Sequence, residues 1–322
     1  MVELRLLTHA LALAEHRSFA RAARSLHLSQ PALSRSIQGL EQDLGLALFE
    51  RSRKGIEPTE AGFLLLRRAK ALLAHSEDFE REAGILQGGG HTELRISAGP
   101  YAAHMVVAPT VARCLRANQS FRFTLAVDNW VKAIRDLGDR LADIAICEMS
   151  ELDERDLDVR PLQRHRAYVV ARRGHPLDGV RAPSLQQILS HPVVLSARLP
   201  PRVLGELLPG GKDNFSPAVK CENLAMTKTI VASSDAVSLF PLSVVKDEIA
   251  GGALVALDFS PPWMHTCFAL VRPRDRALSP VARAFWEAAM EVDEETAAES
   301  ARMEKLLHSA EPLPGPRSLL PC

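Results

Sequence analysis

The sequence predicts an α/β protein in which helices come first and alternating strands and helices follow. Three observations support this fold class. Apolar residues recur at helical spacing through residue 44, one heptad pattern runs from Leu65 to Leu86, and short apolar strands alternate with helices after residue 92. The alternation predicts a parallel sheet with helices on both faces. At 322 residues and 47% hydrophobic composition, the chain is long enough for two or three globular units.

The N-terminal segment predicts three helices joined by short turns. The first helix runs from about Leu4 to Glu15, and small alanines in the second helix allow a neighbouring helix to cross closely. Ser29 stands at an N-cap position, and Pro31 follows in the first turn of the third helix, where a missing N–H costs nothing. The apolar stripes of the second and third helices are Phe19, Ala22, Ala23 and Leu26, and then Leu33, Ile37, Leu40 and Leu44.

The opposite face of the third helix is polar and carries a single charge. Its side chains are suited to hydrogen bonds with base edges and phosphates in a DNA major groove, and they are Gln30, Ser34, Arg35 and Gln38. A solvated surface is the alternative for any single amphipathic helix. The complete helix-turn-helix arrangement favours DNA binding, as does the charge of residues 1–70, which hold 11 Arg and Lys against 7 Asp and Glu.

Residues 46–58 predict a wing directly after the third helix. Arg51, Arg53 and Lys54 precede Gly55 in this segment and form a basic turn of the kind that contacts phosphates beside the groove. A solvated surface loop is the alternative. The position after the predicted recognition helix favours phosphate contact.

Residues 2–62 resemble the DNA-binding domain of the LysR-type transcriptional regulators. The matching residues are Ser18-Phe19, Ala22-Ala23, Leu26, Ser29-Gln30-Pro31-Ala32, Ser34, Leu40-Glu41, Leu44-Gly45, Leu48-Phe49, Arg51, Thr59 and Ala61-Gly62. Pro58 departs from the family, which usually has an aliphatic residue there; since Pro58 precedes a predicted helix cap, we expect little consequence. The residues expected to contact DNA are Arg21, Ser29, Gln30, Pro31, Ser34, Arg35, Gln38, Arg51, Arg53 and Lys54.

A long helix capped by Thr59 follows the wing. Its heptad positions are Leu65, Ala69, Leu72, Ser76, Phe79, Ala83 and Leu86, which predict a helix of roughly 40 Å that needs a partner along one seam. A second copy of the chain is the natural partner, and the family's linker-helix dimer is what the resemblance implies. Packing onto the chain's own body is the alternative. Three glycines at residues 88–90 predict a hinge, so we expect a winged helix-turn-helix over 1–58 and a linker over 59–90.

The region after the hinge resembles the two-lobed, periplasmic-binding-protein-like effector domain of the LysR family. The resemblance is carried by the order of short motifs, which are residues 141–146, 175–177, 239–241, 252–255 and 278–280. Ser234-Asp235-Ala236 departs from the family, which usually has a Gly-x-Gly turn there. We expect an effector domain over 91–290, with lobe I at about 91–163 and 266–290 and lobe II at about 164–265, and then an acidic helix and Pro-rich tail over 291–322.

The predicted effector site lies between the lobes, at the C-terminal ends of parallel strands. The candidate residues at such positions are Gly99, Pro100, Tyr101, Asn129, Trp130, Ser196, Arg198 and Asn223. Asn129 and Asn223 are equally well explained as helix caps, and Tyr101 and Trp130 as packing residues. Two aromatic side chains suggest an amphipathic or aromatic organic effector, with a carboxylate for Arg198.

Catalytic chemistry finds no support in the sequence. No P-loop, nucleotide-binding glycine motif, nucleophile elbow or zinc-protease motif occurs, and no histidine has metal-ligand spacing, so we expect no cofactor or metal. The 5 cysteines follow no pattern, which favours a reducing compartment over a disulfide framework or a redox pair. With no signal peptide and no apolar run near 20 residues, we expect a cytoplasmic protein.

These observations predict a LysR-type transcriptional regulator, not an enzyme, controlled by a small organic effector. The expected partners are double-stranded promoter DNA, the effector, further copies of the chain and RNA polymerase. The linker helix would form the dimer and the effector lobes a tetramer, and ligand would shift the placement of the DNA-binding heads. The rivals are an architectural DNA binder without a ligand and an enzyme with an added DNA-binding head. The effector, the target genes and the direction of regulation stay open.

Overall fold

The computed structural model describes residues 2–52, 55–86, 93–149, 156–196, 198–207 and 216–308. Its backbone divides into two compact units. The first comprises Met1–His91 with Gly138–Leu141, and the second comprises Thr92–Leu137 with Ala142–Cys322. The predicted Gly hinge at 88–90 and the Pro-rich tail after residue 308 lie outside the described residues.

The first unit is a winged helix-turn-helix followed by a long helix, in the predicted order. Its elements are α1 (Leu4–His16), α2 (Phe19–Ser25), α3 (Gln30–Leu44), β1 (Phe49–Ser52), β2 (Gly55–Pro58) and α4 (Glu60–Leu86). The two strands pair antiparallel and form the predicted wing. The apolar stripes of the helices meet in one core, which contains Leu7, Leu13, Ala22, Ala23, Leu33, Ile37, Leu40, Leu48, Leu66 and Ala69.

Two polar side chains and one glycine fix the connection between α3, the wing and α4. The Glu41 carboxylate accepts hydrogen bonds from the backbone N–H groups of Leu48 (2.7 Å) and Phe49 (3.2 Å). The Thr59 hydroxyl caps α4 by accepting from the Gly62 N–H at 2.9 Å, as its position predicted. A Cβ at Gly62 would lie 2.0 Å from the Leu48 carbonyl oxygen, so only glycine allows this approach of α4.

The seam of α4 has two different surroundings within one chain. Ala69 is buried and Leu65 is half-buried, because both pack on the core of the winged helix-turn-helix. Further along, Leu72 is 53% exposed and Phe79 is 74% exposed. The chain's own body therefore covers the first part of the predicted seam and leaves these two large apolar side chains open.

The second unit is an α/β body built on one sheet. Its strands are β3 (Glu93–Ala98), β4 (Arg122–Val127), β5 (Ile144–Glu148), β6 (Leu157–Arg172), β7 (Val193–Leu195), β8 (Val219–Lys220), β9 (Val237–Pro241), β10 (Leu254–Ala256) and β11 (His265–Pro273). Its helices are α5 (Pro100–Ala102), α6 (Ala108–Ala117), α7 (Trp130–Gly138), α8 (Leu185–Leu189), α9 (Pro201–Leu207), α10 (Leu224–Ala232), α11 (Lys246–Ala250) and α12 (Pro280–His308), with a π-helical turn at Ala103–Val107 between α5 and α6.

The expectation of a parallel sheet is correct within each lobe and wrong for the strands that connect the lobes. β3, β4 and β5 run parallel in lobe I, and β7, β8 and β9 run parallel in lobe II. The two sets are joined by β6 and β11, which pair antiparallel with each other over most of their lengths. β6 has 16 residues and β11 has 9, so both reach from one lobe into the other. The β6–β11 register shifts between Cys267 and Ala269, where the ladder is irregular.

The C-terminal helix continues past the boundary predicted at residue 290. α12 is a single helix from Pro280 to His308. It remains continuous because buried residues recur along its length at helical spacing, from Val281, Phe285 and Ala289 to Val292, Asp293 and Ser300. The predicted acidic helix is therefore the second half of α12.

The structure allows a comparison with the expectations about cysteine pairing, membrane-spanning segments and metal ligands. Cys114, Cys147, Cys221 and Cys267 are free thiols. Within the described ranges, no helix is both long and apolar enough to span a membrane, and no three His, Cys, Asp or Glu side chains are grouped as metal ligands.

Candidate functional site: the third helix and the cleft between the lobes

The outward face of α3 presents polar side chains at its N-terminal end. The Ser29 hydroxyl accepts a hydrogen bond from the Ala32 N–H at 3.3 Å, so Ser29 is the N-cap that the sequence predicted. Gln30, Arg35 and Gln38 are exposed, and Ser34 is half-buried. Among the described residues, no carboxylate lies within 4.0 Å of the Arg35 guanidinium. Arg35 therefore keeps its donors available for a base or a phosphate.

The basic residues around α3 differ in how they are held. The Arg21 guanidinium donates to the His16 carbonyl oxygen at 2.7 Å, which ties it to the end of α1. The wing is attached at the same turn, because the Ile56 N–H donates to the Arg17 carbonyl oxygen at 3.1 Å. Gly55 has a φ of 114°, and a Cβ there would lie 2.8 Å from that oxygen. The predicted contacts Arg53 and Lys54, and the Arg51 side chain, lie outside the described residues.

The second unit contains a cavity lined by residues of both lobes. Its open space is about 720 Å³ including its mouth. Six of the eight predicted effector residues line it together, namely Gly99, Pro100, Tyr101, Asn129, Trp130 and Arg198. The remaining lining is largely apolar and includes Leu199, Pro200, Val203, Leu239, Met264 and Phe268. The cavity is a largely apolar cleft with a few polar groups.

Tyr101 joins the two lobes at the edge of this cavity. It follows β3 in lobe I, and its hydroxyl donates to the Leu239 carbonyl oxygen on β9 of lobe II at 2.5 Å. The Ser196 hydroxyl, also in lobe II, donates to the Tyr101 oxygen at 2.8 Å. Burial raises the pKa of Tyr101 to about 12, against a smaller lowering by the Ser196 hydrogen bond, so the phenol keeps its proton at neutral pH. Ser196 therefore contacts the hydroxyl of Tyr101 but is not among the residues that line the cavity.

Trp130 and Arg198 form the second contact between the lobes. The Arg198 guanidinium lies 5.8 Å from the centre of the Trp130 ring, within cation–π range. Trp130 is buried, and its indole N–H has no acceptor among the described residues. Arg198 is exposed, and in the described part of the chain no carboxylate lies within 4.0 Å of it. Arg198 therefore brings an uncompensated positive charge to the cleft.

Glu148 is a lining residue that the sequence reading missed. It ends β5 and lies 3.4 Å from the Arg202 guanidinium on α9 of the opposite lobe. Arg202 also donates to the carbonyl oxygens of Trp263 (3.2 Å) and His265 (2.5 Å), which hold it in place. The signal for Glu148 was present, because it stands at the C-terminal end of the apolar strand β5, just as Asn129 follows the end of β4. Arg202 was not predicted; it lies on α9, which begins at Pro201.

A second cavity adjoins the first and shares Asn129, Arg198 and Leu199 with it. It is lined by Lys220 and Glu222 from lobe II. Burial raises the pKa of Glu222, and the Asp128 carboxylate raises it further by accepting a hydrogen bond from the protonated form and by its negative charge. Among the described residues, the Lys220 ammonium has no carboxylate within 4.0 Å.

The two candidate asparagines are both helix caps. The Asn129 side chain accepts from the Lys132 N–H at 3.1 Å, and the Asn223 side chain accepts from the Met226 N–H at 3.1 Å. Asn129 also lines both cavities, whereas Asn223 lines neither. The alternative explanation of Asn223 as a simple cap is the one that its contacts support.

Two family models match this chain in consecutive segments. Residues 4–63 match the bacterial regulatory helix-turn-helix protein of the lysR family, and residues 87–294 match the LysR substrate binding domain. The second match alone covers more than half of the chain.

The chain belongs to the LysR family.

Named transcriptional regulators are similar to this chain over most of its length. The "SDS degradation transcriptional activation protein" of a Pseudomonas species is 36% identical over 310 residues, which are 94% of this chain and 100% of the relative. The transcriptional regulator GbpR of Azospirillum brasilense is 28% identical over 293 residues, which are 88% of this chain and 84% of the relative. This LysR-family chain is accordingly a DNA-binding transcriptional regulator with an effector-binding domain and not an enzyme.

Solved structures share the fold of this LysR-family chain. The regulator CbnR has a TM-score of 0.66 at 19% identity, over 91% of this chain and 99% of CbnR. Full-length CbnR in complex with its target DNA has a TM-score of 0.65 at 20% identity, over 90% of this chain and 100% of CbnR. The likeness confirms the predicted fold class, in which an N-terminal helix-turn-helix precedes a two-lobed α/β domain.

Proposed function

We propose that this LysR-type regulator reads promoter DNA with the outward face of α3 and binds its organic effector in the cavity between the lobes. The observation that carries the second part is the lining of one cavity by Tyr101 and Trp130 from lobe I and Arg198 from lobe II. A ligand that touches both lobes changes the relative stability of their arrangements, and through it the placement of the DNA-binding heads.

The regulator works as a dimer through α4. Leu72 and Phe79 are exposed on the same seam of one chain, and burying both against a second copy removes apolar surface from water. Two heads in one assembly fit an interrupted inverted repeat, because each half-site takes one α3.

Further assembly to a tetramer uses the effector lobes. β4 is an edge strand of the sheet, and Leu125 and Val127 on it are 47% and 52% exposed. An edge strand with exposed apolar side chains is a surface that a second copy can cover. The assembled regulator acts in the cytoplasm, where promoter DNA and RNA polymerase are its partners.

One named relative supports an effector with a substantial apolar part. The relative from Pseudomonas is named for the degradation of SDS, and the alignment spans its whole length. We take from it that the genes controlled by this chain act on an organic compound that the cleft senses.

Genome-wide mapping of DNA-binding sites tests the regulator as a whole. The expected result is a small number of promoters containing an interrupted inverted repeat, with occupancy that changes when the effector is present. A thermal-shift screen of metabolites, repeated with Trp130→Ala, tests the cleft; a ligand at a hundredfold excess over Kd stabilises the folded chain by about 2.7 kcal/mol. A confirmed ligand whose shift is the same in Trp130→Ala would place the site elsewhere.

A further inference from the structure

Three features of the cleft restrict the chemistry of its ligand: the contacts of its aromatic rings, the balance of its charges, and the volume and lining of its apolar cavity.

The aromatic rings of the cavity have protein partners. The Arg198 guanidinium lies 5.8 Å from the centre of the Trp130 ring, and the Tyr101 ring packs edge-on against Phe240 with centres 6.1 Å apart. Phe268 lies against the His165 ring at 6.4 Å. The rest of the lining is rich in aliphatic side chains, which are Leu199, Pro200, Val203, Leu239 and Met264.

The charges of the cleft leave a positive surplus at one end. Glu148 in the first cavity is paired with Arg202. Arg198 lines both cavities, Lys220 lines the second, and among the described residues neither has a carboxylate within 4.0 Å. The acidic groups near them are Glu222, whose pKa is raised by burial and by Asp128, and Asp128 itself, whose carboxylate lies 3.7 Å from the Lys132 ammonium. An anionic group between Arg198 and Lys220 would complete this arrangement.

The lining of the first cavity suits an alkyl chain. Its open space is about 720 Å³ including its mouth, and the side chains around this space are largely aliphatic. A hydrocarbon chain buries its apolar surface against such walls along its whole length.

We infer that the effector is an anionic amphiphile, with an unbranched alkyl chain in the apolar cavity beside Trp130 and Val203 and a singly charged head group between Arg198 and Lys220. This inference rests on the proposed function, because it assigns the ligand of the same cleft. The head group is a sulfate ester or a carboxylate, which offer the same charge and the same acceptor oxygens.

The test titrates the full-length chain with hexyl, octyl and decyl sulfate below their micelle-forming concentrations, by calorimetry, with circular dichroism confirming that the protein stays folded. We expect one molecule per chain and a Kd that falls by about fourfold per methylene buried until the cavity is filled. Decanoate and decyl sulfate, at matched chain length, distinguish the two head groups. Octanol and octyltrimethylammonium, without a negative charge, should bind at least about tenfold more weakly than octyl sulfate.

Two variants and one control locate the head and the tail. Arg198→Gln should raise the Kd for octyl sulfate by about tenfold and leave the Kd for octanol unchanged. Leu199→Trp should abolish binding of both by filling the cavity. Arg181→Gln, an exposed arginine of lobe II that lines neither cavity, is the matched control and should bind octyl sulfate as the unmodified chain does.

The outcomes separate this inference from the proposed function. Equal binding of octyl sulfate by Arg198→Gln and Arg181→Gln, equal binding of octanol and octyl sulfate, or many molecules per chain would each overturn the amphiphile assignment. If no alkyl compound binds while another metabolite binds and is blocked by Leu199→Trp, the assignment fails and the cleft remains the effector site. A confirmed effector that binds Leu199→Trp normally would overturn the cleft itself.

Discussion

Ser196 donates a hydrogen bond to the phenol oxygen of Tyr101 at 2.8 Å, and this contact joins the two lobes at the edge of the cavity. Tyr101 in turn donates a hydrogen bond to the Leu239 carbonyl oxygen on β9 of lobe II. Side chains of the candidate effector site thus contribute directly to the contact between the lobes.

Tyr101→Phe should destabilise the effector domain by about 1–3 kcal/mol, because the buried Leu239 carbonyl and the Ser196 hydroxyl both lose their partner. Chemical denaturation followed by circular dichroism measures the loss. Ser196→Ala should cost less, since the Tyr101 donor keeps the Leu239 acceptor. The double mutant gives the coupling energy between Tyr101→Phe and Ser196→Ala. A coupling energy near zero would contradict the hydrogen bond between these two side chains.

Arg35→Ala should weaken binding to a mapped operator by about 1–3 kcal/mol and relax its sequence preference, because Arg35 is exposed on α3 with its donors free. Gel-shift titration with operator and with scrambled DNA measures both effects. Arg181→Ala removes the same charge from lobe II and serves as the control. Equal affinity of the two variants for the operator would mean that α3 is not the reading helix.

Leu72→Glu should convert the dimer to monomers, because it places an unpaired carboxylate in the seam of α4. Sedimentation velocity measures the change, and operator binding should fall with it. Phe63→Glu is the matched control, because Phe63 lies on the same helix, is 68% exposed and is outside the heptad positions. Dimers of normal affinity in Leu72→Glu would overturn the role of the seam.

Glu222→Gln should raise the thermal midpoint near pH 7 and lose this advantage as the pH falls towards 4. Burial, and then Asp128, raise the pKa of Glu222 in the folded chain. The stability that its proton provides is therefore complete below the unfolded pKa of about 4.3 and is lost as the pH rises through the raised folded value. Glu206→Gln, which removes the carboxylate of an exposed glutamate on α9, is the control for the loss of one negative charge.

Gly62→Ala should destabilise the DNA-binding unit, because its Cβ would lie 2.0 Å from the Leu48 carbonyl oxygen and force α4 away. Gly39→Ala is the matched control within α3, where a Cβ meets nothing within 4 Å, and should stabilise the helix by up to about 1 kcal/mol. Thermal unfolding of both variants gives the comparison. A midpoint that rises in both would show that α4 can shift freely.

The features that the sequence predicted well are those determined by local chemistry. Ser29, Thr59 and Asn223 cap helices because each stands one residue before an apolar periodic segment, and this requires no knowledge of distant contacts. Tyr101 and Trp130 meet at the cavity because both follow parallel strands of lobe I, whose C-terminal ends lie at one edge of a sheet.

The features that the sequence reading missed depend on long-range geometry. The antiparallel pairing of β6 and β11 joins residues about a hundred positions apart, as in the pair Thr266 and His165. No local pattern specifies such a pairing, so the lining residues on β11 and its flanks, His265, Thr266 and Phe268, were not predicted. The continuity of α12 was not predicted, because the sequence becomes rich in acidic residues after residue 290 and this change suggested a boundary. The buried stripe of the helix continues through that point.

The connection between the lobes runs next to a side chain of the cleft. β6 pairs with β11 up to Arg166 and then with β9 of lobe II from Ala167 to Val170, so this one strand contacts strands of both halves of the sheet. The register of the β6–β11 pair shifts between Cys267 and Ala269, and the Glu148 carboxylate, which lines the cavity, accepts the Cys267 N–H at 3.3 Å beside this irregularity. A ligand that displaces Glu148 would therefore act directly on the pair of strands that connects the lobes.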